Sequence, residues 1–153
     1  MEKCIAHDTN NNYASIQSAL DYEKEADIYM INENATLSIL RLIRGLEFIS
    51  KLLESMQNNM DTNKKMHELA WQTYNHTLAF RHGWPVRQLV KAGFWLLPRK
   101  HDLFQIMLTG ADPKNGKKEN DALFHDFTKS LDRVYSLIHK IYDENDFLEL
   151  VLT

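Results

Sequence analysis

The sequence contains a single cysteine, Cys4, among its 153 residues. An intrachain disulfide framework is therefore excluded, and a lone thiol fits a reducing compartment such as the cytoplasm. The polar start, residues 1–8, lacks the apolar core of a signal peptide, and no run approaches the roughly 18 apolar residues that a membrane span requires. We therefore expect a cytoplasmic protein whose association with membranes is peripheral and transient.

Glycine and proline are also scarce, with five and three residues, and they lie at a few breaks rather than at regular short intervals. Sandwiches and barrels need frequent turns, so this distribution argues for helices. The net charge of −3 gives no overall attraction to nucleic acid or to an acidic membrane. With 44% hydrophobic and 25% charged residues, the composition is that of a globular protein with a buried core.

Hydrophobic periodicity predicts an all-α chain. Residues 1–12 are expected to form a lead-in, and residues 13–153 a single domain without internal repeats. Helices are predicted over residues 13–32, 34–57 and 61–80, from Pro85 to Pro98, over 103–108, and again after a loop at 111–120. Asp61 and Thr62 are the expected caps of the third helix.

The motifs that would indicate catalysis are missing. Seven histidines raise the question of a metal site, but they are scattered and form no HExxH pair. The sequence also lacks a glycine-rich phosphate loop and a nucleophile elbow. We therefore expect neither an enzyme nor a site for a metal or cofactor.

The second predicted helix carries an arginine among apolar residues. On a helical wheel with about 100° per residue, Arg41 falls between Phe48 and Leu52. Arg44, by contrast, falls in the polar arc of the same wheel. An unpaired guanidinium on an apolar face is costly, and its planar fork of donors suits phosphate. Two interpretations stay open: Arg41 binds an anion, or it reaches the surface or pairs with a carboxylate of another helix.

The segment between Glu68 and Asp102 has no acidic residue. It contains five basic residues and three tryptophans: Arg81, Arg87, Lys91, Arg99, Lys100, Trp71, Trp84 and Trp95. This mixture suits an anionic membrane surface or single-stranded nucleic acid, and it also fits a solvated helix face with core tryptophans. His82 precedes the fourth helix, where its ring either binds a polar group or has a structural role.

Four stretches of the sequence together resemble the glycolipid transfer protein family. They are LRLIRGLEFI at residues 40–49, YNHTL at 74–78, HGWPVR at 82–87 and GFWLLPRK at 93–100. The similarity extends from about Tyr13 to the C-terminus and so covers most of the chain. The histidine–glycine–tryptophan boundary and the leucine–proline helix end are its more specific parts.

The resemblance implies a two-layer helical sandwich that carries a sphingolipid between membranes without a catalytic step. In this family the headgroup lies at a surface site and the hydrocarbon chains occupy an apolar pocket between the helix layers. The histidine that matches His82 binds the lipid amide. The position that matches Arg41 is tryptophan in carriers of glycolipids and arginine in carriers of ceramide 1-phosphate. The sequence is therefore similar to the phosphate subgroup, with Arg44 as a supporting headgroup residue.

The sequence departs from this pattern at two points. The phosphate subgroup has a second headgroup arginine one turn before the first, and Leu37 occupies that position here. The family also has upstream helices that carry an aspartate and a lysine of the headgroup site, and the sequence has no counterpart of them. Two explanations stay open: Met1 begins a shortened gene model or isoform, or the protein lacks half of the headgroup site and one wall of the pocket. The expectation is a fold of this type that is shortened at its N-terminus and lacks the first helices.

The expected function is non-vesicular transfer of a sphingolipid, with ceramide 1-phosphate as the expected ligand. The candidate acyl-chain pocket residues are Phe48, Leu52, Val90, Phe94 and Leu97. The candidate membrane-docking residues are Trp84, Arg87, Lys91, Arg99 and Lys100. The main alternative is a sensor or adaptor that docks on membranes without transfer. A helical nucleic-acid module is a third reading, although nucleic acid is not an expected partner.

Overall fold

A computed structural model of the chain describes residues 11–31, 34–108 and 116–150. Within these ranges all the regular elements are helical, which confirms the all-α prediction. The helices are α1 (Ile16–Glu25), α2 (Ala35–Asn58), α3 (Met66–Thr77), α4 (Trp84–Phe94), α5 (Lys100–Met107) and α6 (Lys117–Glu144). A 3₁₀ turn, Ala79–Arg81, lies between α3 and α4. Most of the predicted lead-in, together with Gly110 and residues 111–115 of the predicted loop, lies outside the described residues. The prediction that the loop extends to residue 120 is wrong, because α6 already begins at Lys117.

The chain divides into two compact units. The first unit comprises Met1–Gly45 and Val134–Thr153, and the second comprises Leu46–Arg133. The core of the first unit is formed by Ala19, Leu20, Ala35, Ile39, Leu40, Ile43, Tyr142 and Phe147. The core of the second unit is formed by Leu52, Leu53, Met56, Met66, Leu69, Ala70, Phe104 and Phe124. Each unit therefore buries its own set of apolar side chains.

Helix α1 is shorter than its predicted span of residues 13–32. Ser15 caps its N-terminus, since the Ser18 N–H donates to Ser15 Oγ at 3.0 Å and the Ser15 N–H donates to Ser18 Oγ at 3.0 Å. The helix ends where Asp27 takes a left-handed conformation with φ 55°, and the Ile28 N–H donates to the Glu23 carbonyl at 2.9 Å. The apolar residues that follow Asp27 therefore do not continue the helix.

Helix α3 begins at Met66, later than predicted. The Lys65 N–H donates to the carboxylate of Glu68 at 2.9 Å, so Glu68 stabilises the first turn. The prediction that Asp61 and Thr62 cap this helix is wrong, because both lie in the turn after α2 and the N-cap residue is Lys65. The Glu68 carboxylate, which accepts from the N-cap residue Lys65, therefore favours a helix start at Met66.

The two halves of α2 bury different stripes of the helix. In the first half, Leu40, Ile43 and Arg44 are buried while Arg41 and Leu42 are exposed. In the second half, the buried residues are Ser50, Leu52, Leu53 and Met56. A wheel drawn over all 24 residues of α2 therefore merges two faces into one.

Candidate functional site

Arg41 lies on the exposed side of α2 in the first unit. The wheel placed it on a buried apolar face, and this placement is wrong: Leu37 before it and Leu52 after it are buried, whereas Arg41 itself is exposed. Within residues 11–31, 34–108 and 116–150, no carboxylate or hydrogen-bond acceptor contacts its guanidinium. Arg41 is therefore a solvated cation whose five donors are available to a ligand.

Arg44 is buried, with 8% of its surface exposed. Its Nη2 donates to the carbonyl oxygens of Leu148 and Leu150, each at 2.9 Å. The wheel assigned Arg44 to the polar arc, and the structure corrects this: the guanidinium lies inside the first unit and fixes the backbone near its C-terminal end. The role of Arg44 as a supporting headgroup residue stays a prediction.

His82 follows the 3₁₀ turn and precedes Gly83, the N-cap of α4, in the second unit. Its Nδ1 lies 2.6 Å from the hydroxyl of Tyr74, a side chain with 1% of its surface exposed. The two rings also stack, with centroids 5.6 Å apart. Nε2 has no hydrogen-bond partner in the part of the chain that the structure describes, so the imidazole is held at one nitrogen and open at the other.

Two of the five predicted docking residues are engaged in the fold. Arg87 is half-buried, and its Nε donates to the carbonyl of His82 at 2.9 Å. Lys100 is buried, with 8% exposed, and its Nζ donates to the carbonyls of Asn59 and Thr62 at 2.5 and 2.8 Å. The expectation that Lys100 faces solvent is thereby corrected, because its ammonium secures the loop between α2 and α3.

The other three docking candidates are exposed: Trp84, Lys91 and Arg99. Trp84 has 73% of its surface exposed, and Leu89 of the same helix has 74%. The Nζ of Lys91 lies 5.3 Å from the centroid of the Trp71 ring, within the range of a cation–π contact. Helix α4 thus presents an indole, an aliphatic side chain and an ammonium to solvent.

Four of the five predicted acyl-chain residues pack in the core of the second unit. They are Phe48, Leu52, Phe94 and Leu97, and Val90 is half-buried. The rings of Phe48 and Phe94 stack with centroids 5.9 Å apart. Their role in holding a hydrocarbon chain stays a prediction.

An apolar pocket of about 460 Å³ opens in the second unit. It is lined by Met107, Leu108, Leu123, Phe124 and Phe127. None of these residues was among the predicted pocket residues. For Leu123, Phe124 and Phe127 the available signal is the repeat of apolar residues along the last helix, which is equally compatible with core positions.

Arg41 and Arg44 belong to the first unit and His82 to the second. In the described ranges, no group of three or more histidine, cysteine, aspartate or glutamate side chains is arranged to hold a metal ion. Over the same ranges, none of the helices combines the length and apolar character needed to cross a membrane.

Residues 1–109 match the family model described as Glycolipid transfer protein (GLTP). The chain belongs to the glycolipid transfer protein family. The resemblance inferred from the sequence motifs is confirmed. Among curated relatives of this family member, the ceramide-1-phosphate transfer protein of Xenopus tropicalis is 26% identical over 156 residues, covering 98% of this chain and 70% of the relative. The glycolipid transfer protein of Danio rerio is 28% identical over 152 residues, covering 95% and 72%.

Solved structures show the same fold. The human ceramide-1-phosphate transfer protein in complex with 12:0 ceramide-1-phosphate superposes with a TM-score of 0.81 at 23% identity, covering 97% of this family member and 72% of that chain. The structure titled "How FAPP2 Selects Simple Glycosphingolipids Using the GLTP-fold" superposes with a TM-score of 0.76 at 21% identity, covering 98% and 70%. Fold and family membership therefore agree.

Proposed function

We propose that this member of the glycolipid transfer protein family binds a sphingolipid with a phosphorylated headgroup, of the ceramide 1-phosphate type, and transfers it between membranes. Family membership and the relatives named ceramide-1-phosphate transfer protein support the ligand class. The observation in this chain that carries the proposal is the pairing of Tyr74 with His82.

The pairing determines which nitrogen of His82 carries the proton. Burial raises the pKa of the Tyr74 hydroxyl, and the charge of Arg87 offsets part of that rise, so the phenol is protonated at neutral pH. His82 Nδ1 is the hydrogen-bond partner that the described residues give this phenol. We infer that the phenol donates and Nδ1 accepts, because the buried hydroxyl would otherwise be a donor without an acceptor. In that arrangement the proton of the neutral ring is on Nε2. An Nε2–H group is the donor that the carbonyl oxygen of a lipid amide requires.

Arg41 is proposed as the residue that selects the phosphate. Its guanidinium is exposed and has no counter-ion in the described ranges, so binding of an anion breaks no existing ion pair. A guanidinium can donate two parallel hydrogen bonds to two oxygens of one phosphate, which a lysine cannot do with the same geometry. Arg41 supplies this chemistry, and the phosphorylated headgroup is the ligand that fits it.

The exposed side chains of α4 are proposed to contact the membrane during uptake and release. Trp84 and Leu89 suit the interfacial region of a bilayer, and Lys91 suits the negative surface of anionic lipids. A carrier is needed because burial of a chain of about sixteen carbons is worth roughly 12 kcal/mol at ~0.8 kcal/mol per CH₂, so unaided escape of the lipid is slow.

The proposal is tested by transfer of a fluorescent ceramide 1-phosphate from donor to acceptor vesicles. Arg41→Leu should lower the transfer rate by about tenfold or more, because hydrogen bonds to a charged ligand are lost. The matched control is Arg133→Leu, which removes an exposed arginine of α6 and should transfer normally. Far-UV circular dichroism checks that both variants fold. Wild-type transfer by Arg41→Leu would remove Arg41 from headgroup recognition.

The amide contact is tested in the same assay with His82→Ala against His76→Ala, an exposed histidine on α3. Loss of transfer in the first variant alone supports His82 as the amide ligand, and equal transfer in both refutes it.

The exposed Trp84 and Leu89 also favour a second function, a sensor that docks on membranes without carrying lipid. Vesicle binding without any transfer by the wild-type chain would decide for the sensor.

A further inference from the structure

A second pocket in the second unit, of about 320 Å³, is lined by basic side chains. It lies where the loop between α2 and α3 meets the segment that leads into α5. Its basic lining residues are Lys64, Lys65, His67, Arg99, Lys100 and His101, and no aspartate or glutamate lines it. The first residues of α3 and α5, Met66 and Lys100, both line this basic pocket. The positive ends of two helix dipoles therefore add to the charge of the side chains.

Lys100 differs from the exposed Lys64, Lys65 and Arg99 of the basic pocket because its side chain is buried. Two of its three N–H groups donate to the carbonyls of Asn59 and Thr62, at 2.5 and 2.8 Å. Among the residues that the structure describes, no carboxylate lies within ion-pair distance of Nζ, and no third acceptor is present. A buried cation with only neutral partners keeps its full charge uncompensated, which favours an anion at the third donor.

The nearby carboxylates do not neutralise the basic pocket. Glu68 accepts the Lys65 N–H at the start of α3, and Asp61 is an exposed residue of the loop between α2 and α3. Asp102 lies 3.8 Å from the Nε of Arg99, in a pair whose side chains are 92% and 61% exposed. A long and solvated ion pair contributes little, so Arg99 can exchange Asp102 for a ligand at small cost.

The basic pocket is separate from His82. Helix α3 has 12 residues and is therefore about 18 Å long at 1.5 Å per residue. Met66 at its first residue lines the basic pocket, whereas His82 follows its last residue, Thr77, and the 3₁₀ turn. An anion in the basic pocket would therefore lie at the opposite end of α3 from the imidazole.

We propose that this pocket is a second anion site that binds a phosphate group, with Lys100 at its floor and Lys64 and Arg99 at its rim. The ligand is a free phosphate compound or the phosphorylated headgroup of a lipid in the membrane surface, since both present the same oxygens. His67 and His101 line the pocket, and the ring of His67 stacks on Trp95 with centroids 3.9 Å apart. Their signals therefore report on occupancy.

The test is a titration of the full-length chain with inorganic pyrophosphate, followed by NMR of the His67 and His101 ring protons and of the Met66 and Lys100 amides. Saturable shifts at these four residues are expected, and sodium chloride at equal ionic strength should not reproduce them. The double variant Lys64→Gln with Arg99→Gln should weaken binding by about tenfold or more. Both side chains are exposed, so the variant is expected to fold.

The matched control is Lys129→Gln, an exposed lysine of α6 in the same unit, which should bind pyrophosphate like the wild type. Arg41→Leu should also retain the shifts, so failure of the lipid-transfer proposal and failure of this one are separable. Absence of saturable shifts, or equal affinity in the double variant, would overturn the site. Lys100→Met should abolish binding where the variant still folds.

The two sources of phosphate are distinguished with vesicles of phosphatidylcholine, prepared with and without phosphatidic acid. Binding that requires phosphatidic acid, that is competed by pyrophosphate and that falls in the double variant assigns the site to a lipid headgroup. Binding of pyrophosphate with no effect of the double variant on vesicles assigns it to a free phosphate compound. Either result supports the anion site.

Discussion

Replacing Glu23 by alanine should destabilise the first unit strongly, because this carboxylate is fully buried and holds the start of α2. Its Oε1 accepts the Ala35 N–H at 2.8 Å. Its Oε2 accepts the Thr36 N–H at 2.9 Å and the Thr36 hydroxyl at 2.6 Å. The carboxylate thus serves two backbone donors at a helix N-terminus, where negative charge is also favourable.

The substitution leaves three buried donors without an acceptor, and each costs about 1–3 kcal/mol before relaxation and entry of water. Loss of one partner from a buried charged network costs about 3–5 kcal/mol, and we expect Glu23→Ala to fall in this range. Glu23→Gln should cost less, since its amide oxygen retains one acceptor. The control Glu25→Ala removes an exposed carboxylate of α1 and should change stability by less than about 0.5 kcal/mol.

Urea unfolding followed by circular dichroism gives the free energy of unfolding of each variant. Amide hydrogen exchange at Ala35 and Thr36 gives the local effect, which stays interpretable even where the two units unfold separately. Both amides should exchange faster in Glu23→Ala and normally in Glu25→Ala. A loss below about 1 kcal/mol, with unchanged protection of the two amides, would refute the capping role of Glu23.

Two further predictions concern tyrosine hydroxyls. Tyr74→Phe removes the hydroxyl that donates to His82 Nδ1, so the imidazole should populate both tautomers and lipid transfer should fall severalfold. The tautomers are measured by the ¹⁵N chemical shifts of the ring nitrogens, and unchanged shifts would contradict this prediction. For Tyr142, burial and then the charge of Glu23 raise the pKa of the hydroxyl above its ordinary value. Because the folded state then holds this proton more tightly than the unfolded state, stability should fall as pH rises above about 10. Tyr142→Phe should flatten that fall in urea unfolding at high pH, and an equally steep fall in the variant would count against the assignment.

Helix α2 was predicted to within one residue at each end because its apolar repeat is long and, despite Gly45, contains no proline. Helix α1 was extended too far because an aspartate, unlike a glycine, does not signal the left-handed conformation that Asp27 adopts. Asp146 has the same conformation, φ 61°, after α6. Whether such a residue ends a helix depends on the packing of the residues that follow it, which periodicity does not report.

Residues of the candidate site could be predicted where a sequence motif marks them. Their environments could not be predicted where contacts between residues distant in the sequence determine them. His82 stands out in its motif, but its link to Tyr74 depends on the 3₁₀ turn that brings the chain back toward α3. From the sequence Lys100 is expected on the surface, yet its ammonium donates to carbonyls about 40 residues earlier in the sequence. The wheel exchanged the environments of Arg41 and Arg44 because the buried stripe of α2 changes along the helix.

The contacts of Arg44 have a practical consequence for handling the protein. Its guanidinium donates to the carbonyls of Leu148 and Leu150, so these last described residues are part of what keeps a buried charge solvated. Proteolytic trimming that removes Leu148 and the residues after it would take both carbonyl acceptors away from the buried guanidinium and so lower the stability of the folded state. Affinity tags and fluorescent fusions should therefore be joined through a flexible spacer that leaves Leu148 and Leu150 in place, and shortened variants should keep both residues.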